Sequence, residues 1–88
     1  MNICEHRVFV DLTSAEEFTR AGERKLREGN KMSARKAYGY AHKNLRRAIS
    51  DVRACTLIGR VADPRNTLAR LVEVADKFEK FEHELEGD

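Results

Sequence analysis

Apolar residues recur along this chain at intervals of three and four. At 100° per residue, Ala34, Tyr38, Ala41, Leu45, Ala48, Ile49 and Val52 fall within about 60° of one line, with Ala37 and Cys55 on its flank. This stripe lasts six turns, with small residues in its first half and larger ones in its second. It predicts a helix over about 32–59 that starts between Asn30 and Ser33 and ends near Gly59. A second stripe, Leu68, Leu71, Val72, Ala75, Phe78 and Leu85, predicts a helix over about 64–85. Asp63 opens it as an N-cap and Pro64 suits its first position. Upstream, Thr13 or Ser14 followed three residues later by Glu16 or Glu17 reads as a capping box. A helix over about 14–29 follows, with Gly29 as a left-handed cap. Glu16–Arg20 and Glu23–Arg27 are i,i+4 pairs in the favourable order. Residues 7–12, RVFVDL, are β-branched and aromatic in character, which predicts an extended arm over 1–12. That arm either packs on the helices or pairs with another chain. The expected architecture is all-α: a single domain, 1–88, forming a three-helix antiparallel bundle with a short extended N-terminal arm.

Composition sharpens this picture. The 88 residues are 41% hydrophobic and 36% charged, too apolar for a disordered chain and too charged for a membrane protein. A chain this short has a thin core, and many of its size gain stability by oligomerising. No apolar run approaches the roughly 18 residues that span a bilayer. The start, MNICEHRVFV, shows no basic segment leading into an apolar one, so no leader is expected and the cytoplasm is the expected location. Charge is distributed in blocks. Residues 1–19 hold one Arg against four acids, residues 20–53 eleven Lys and Arg against three acids, and residues 54–88 five against eight. The net charge of +2 therefore hides an acidic, basic, acidic order, which bears on partners rather than on fold.

The first two predicted helices carry Phe18, Ala21 with Gly22, then Ala34, Tyr38 and Ala41, with Gly29 at the turn. This pattern resembles a single tetratricopeptide-repeat hairpin. In that repeat small residues let two antiparallel helices approach while aromatics fill the space beside them. Lys25 stands where the repeat has its second aromatic, and Arg46 where it has its closing proline. The match covers about 30 residues once, so no solenoid is expected. A hairpin followed by a longer third helix also resembles the microtubule-interacting-and-transport type of three-helix domain. Both resemblances imply a module that binds peptide segments of other proteins and has no catalytic activity. They also imply that Ala34, Tyr38 and Ala41 pack against Phe18 and Gly22.

The functional candidates lie on the basic segment. Arg35, Lys36, Lys43, Arg46, Arg47 and Arg53 fall opposite the apolar stripe of the second helix, with Tyr40 at their edge. They are the expected partner-binding residues. The first reading is a protein with an acidic surface, aided by apolar residues outside the main stripes: Tyr40, Leu57, Ile58 and Phe81. The second helix's cations could equally meet acids of the third helix or of a second subunit in a homodimer. The competing reading is nucleic acid, bound through phosphate contacts along the same stripe. It is opposed by the small net charge and by an acidic tail that would compete with phosphate. Catalysis is not expected. Arg35 and His42 fit loosely the Arg and His spacing of small helical toxin ribonucleases, but such a pair is common in so charged a chain. No nucleophile or phosphate-loop motif occurs. No metal or other cofactor is expected: Cys4, His6, His42 and Cys55 have no ligand spacing. Two cysteines so far apart predict no disulfide scaffold, with Cys4 a free thiol and Cys55 a small buried hydrophobe.

Overall fold

The computed structural model describes residues 3–61 and 63–87. Three helices follow one another: α1, Ile3–Arg27; α2, Lys31–Leu57; and α3, Pro64–Gly87. They form a rod of about 44 × 18 × 16 Å. α1 and α2 pair antiparallel along their lengths, and α3 lies across both.

The helix ends are where the local chemistry places them. Gly29 (φ 81°) and Gly59 (φ 67°) occupy left-handed positions. Asn30 N–H donates to Lys25 O and Gly29 N–H to Leu26 O, and Arg60 and Gly59 repeat this pattern onto Cys55 and Thr56. Both α1 and α2 therefore close with the paired Schellman bonds that satisfy their last carbonyls. Asn30 Oδ1 accepts from Ser33 N–H and Asp63 Oδ1 from Asn66 N–H, each at 3.1 Å, so α2 and α3 both start on a side-chain cap.

The extended arm over 1–12 is not found among the described residues, because α1 begins at Ile3. Val8 and Leu12 continue backwards the spacing of Ala15, Thr19 and Gly22, and all five are buried. Burial on this stripe outweighs the β preference of Val8, Phe9 and Val10, since tertiary packing overrides local propensity. Thr13 and Ser14 consequently lie inside the helix and cap nothing.

The core combines Val8, Leu12 and Ala15 with Ala41, Leu45, Ala48 and Val52 of α2 and Val74 and Phe78 of α3. Ala15 of α1 and Ala41 and Ala48 of α2 are the small residues in the core these two helices share, whereas Gly22, expected between them, faces α3. The aromatic packing differs from expectation. Phe18 stacks on Tyr40, with ring centroids 5.1 Å apart. Tyr38 faces α3, stacking on Phe78 at 5.0 Å. Phe81, expected to be exposed, is fully buried. A Cβ on Gly22 would run into the ring of Phe81, so the missing side chain of α1 is the seat of an α3 ring.

A second correction concerns the cysteines. Cys4 and Cys55 form a disulfide that joins the first turn of α1 to the last turns of α2, with Cα atoms 5.8 Å apart. The antiparallel pairing brings together two residues that sequence distance alone kept apart.

Candidate functional site

The outer face of α2 is the candidate site. Arg35, Lys36, Lys43, Arg46, Arg47 and Arg53 are all exposed. From Arg35 to Arg53 they span about 27 Å of helix. Among the described residues, none of the six stands within ion-pair distance of an acid. The acids of α3 therefore do not neutralise this row within the chain. Shallow depressions run along it, one lined by Arg35, Lys36, Gly39, Tyr40 and Lys43, and another by Arg46, Ile49, Ser50, Arg53, Ala54 and Leu57. They form because small residues separate the long cationic side chains. Tyr40 is 56% exposed and rests on Phe18, which marks the α1 edge of the face. His42, against both Tyr38 and Phe78, marks the α3 edge.

The face has an apolar extension that the stripes did not reveal. Leu57 is 87% exposed and Ile58 is exposed, as expected. Ile49, Leu68 and Val72 were expected in the core, yet Leu68 and Val72 are 50% and 56% exposed and Ile49 is also open. α3 buries Val74, Phe78 and Phe81, and Leu71 and Ala75 pack against the core, whereas Leu68 and Val72 of the same stripe stay open.

Two charged clusters link the helices, one between α1 and α3 and one between α1 and α2. Glu16 of α1 is the hub of the first. Arg70 donates to it twice, from Nη1 at 3.0 Å and Nη2 at 3.3 Å, and Lys77 Nζ donates at 2.8 Å. Arg20 stands 3.5 Å away. These hydrogen bonds hold the Glu16 carboxyl down at about 2, against the opposing effect of burial. Sequence spacing shows only the Arg20 contact, because Arg70 and Lys77 arrive through the tertiary fold. In the second cluster, Asp11 of α1 meets Asp51 of α2. Burial pushes the Asp11 carboxyl up to about 6, helped by its hydrogen bond to Asp51 and the charge of Asp51, while Arg47 and Arg7 act the other way. On the α3 side, Tyr38 Oη donates to Glu82. That bond first, then burial and the charges of Glu82 and Glu86, push the phenol up to about 12.

The two carboxyls act in opposite pH windows. Asp11 is raised in the folded state, so its contribution is present below its ordinary value near 4 and is lost as pH rises through 6. Glu16 is depressed, so its contribution is present above about 4.5 and is lost as pH falls through 2. Urea unfolding at stepped pH should therefore give greatest stability near pH 4–5. Asp11→Asn should flatten the decline between pH 4 and 6, and Glu16→Gln should remove the decline below pH 4.5. Unchanged profiles in both variants would contradict these assignments.

Among the described residues, no group of three or more His, Cys, Asp or Glu side chains is placed to hold a metal ion. Cys4 and Cys55 are tied together, and His42 lies some 20 Å along α2 from Cys55. No described helix is long and apolar enough to cross a membrane. Compared with known proteins, the chain matches no family model, no curated protein and no solved structure.

Proposed function

We propose that this protein is a small non-enzymatic interaction module, an adaptor or an inhibitor, that docks on an acidic protein surface through the basic face of α2. The observation that carries this reading is the row of six exposed cations, none of which makes an ion pair among the described residues. Long cationic side chains left unpaired on a rigid helix cost nothing to desolvate until an anionic partner arrives, and they steer that partner's approach. Exposed Leu57, Ile58, Ile49, Leu68 and Val72 beside the row favour protein over nucleic acid, since aliphatic contact area gives a phosphate backbone nothing to bind. The second reading is nucleic acid. It gains from the structure in one respect: the acidic segment of α3 makes no ion pair with the row and so leaves phosphate access open. A cytoplasmic location, which we also propose, would hold Cys4 and Cys55 as an adjacent thiol pair, with the bridge forming under oxidation.

The test is recovery of cross-linked partners by the wild type against Lys36→Glu/Arg47→Glu. Both residues are exposed, so the variant should fold like the wild type, within about 0.5 kcal/mol. A protein with an acidic surface, captured by the wild type and lost with the reversal, is the expected result. Equal capture by both would contradict the role of the basic face.

A further inference from the structure

We infer that the surface shared by α2 and α3 is covered by a second copy of this chain, with the two-fold axis parallel to the helices. The inference rests on the docking reading above and names one acidic partner for it. The monomer is divided along this surface. In one half, α2 presents Arg35 and Arg46 while α3 presents Asp76, Glu79 and Glu86, all exposed. Arg35, Arg46 and Asp76 have no ion pair among the described residues. Tyr38, His42 and Phe78 lie between the two charged rows and keep them apart within one chain. In the other half, exposed Ile49 of α2 lies level with exposed Leu68 and Val72 of α3. The antiparallel register follows from Tyr38 and His42 against Phe78, and from Tyr38 against Glu82.

A two-fold axis along the helices sets α2 of one chain opposite α3 of the other, at the same level. The basic row then meets the acidic row twice, and the apolar half meets itself. An axis across the helices would instead oppose basic row to basic row. Lys36, Tyr40 and Arg47, towards the α1 edge, stay open for a different protein.

The experiment is sedimentation equilibrium of the oxidised full chain. The expected result is a particle of twice the 10.1 kDa chain mass at micromolar concentration. Val72→Asp, at an exposed position, should weaken the dimer by roughly 30-fold or more with an unchanged circular dichroism spectrum. One triple variant reverses α2 (Arg35→Glu, Lys43→Glu, Arg46→Glu), and another reverses α3 (Asp76→Lys, Glu79→Lys, Glu86→Lys). Each alone should be monomeric, and an equimolar mixture should dimerise. A monomeric wild type overturns the inference without touching the Lys36/Arg47 comparison that tests docking. A dimer that survives Val72→Asp, or triple variants that fail to pair on mixing, overturns the arrangement.

Discussion

Phe81→Ala is expected to lower the unfolding free energy by about 3–5 kcal/mol, the range for truncating a buried phenylalanine. Phe81 is the largest side chain to be fully buried. Its ring fills the hollow over Gly22 and leans on Tyr38 at a centroid distance of 6.2 Å, so its loss opens a cavity where α1, α2 and α3 meet. Gly22 supplies the control. In the wild type, Gly22→Ala gains up to about 1 kcal/mol of helix propensity but drives a methyl into the ring, costing about 1–3 kcal/mol. The net effect is a loss. In the Phe81→Ala background the same methyl enters the empty space, and Gly22→Ala should stabilise. The effect of Gly22→Ala therefore changes sign between the two backgrounds, and the double-mutant cycle carries a large non-zero coupling. Additive effects in urea unfolding would show that the ring does not sit on Gly22.

Breaking the Cys4–Cys55 bridge has an effect of similar size. The bridge spans 51 residues, and closing a loop of that length is worth about 4 kcal/mol in the chain-entropy model, with 2–4 typical in practice. Cys4→Ser should lower the melting temperature by on the order of 10–20 °C for a domain of this size. Helix content at 20 °C should change little, because the remaining core is intact. Reducing the wild type should reproduce the shift, and reducing Cys4→Ser should do nothing further. Identical melting curves for oxidised and reduced wild type would refute the bridge.

What could be read from the sequence follows from which forces are local. The ends of α1 and α2 at Gly29 and Gly59, and the start of α3 at Asp63-Pro64, depend on a few adjacent residues and were legible. So was the basic row, because its membership depends on the periodicity of one helix alone. Residues 3–12 were misread because Val8, Phe9 and Val10 suggest a strand, while the deciding fact is that Val8 and Leu12 complete a buried stripe. Phe81 was misplaced for a related reason. Its site is a hollow on α1, and no pattern within α3 points to Gly22. Glu16 with Arg70 and Lys77, Asp11 with Asp51, and Cys4 with Cys55 all join residues from different helices. Ile49, Leu68 and Val72 fit the periodicity of buried residues, yet the packing of α3 on the bundle leaves them exposed. That the basic row makes no ion pair among the described residues is likewise a tertiary fact.

The measurement that tests the central claim most directly is fluorescence anisotropy of labelled single- and double-stranded DNA and RNA, titrated with the protein at low and near-physiological salt. A protein-docking face predicts no binding at near-physiological salt and at most weak, non-specific binding at low salt. Micromolar binding at physiological salt, with a steep salt slope and complete loss in Arg46→Glu/Arg47→Glu, would contradict it and assign the basic face of α2 to nucleic acid.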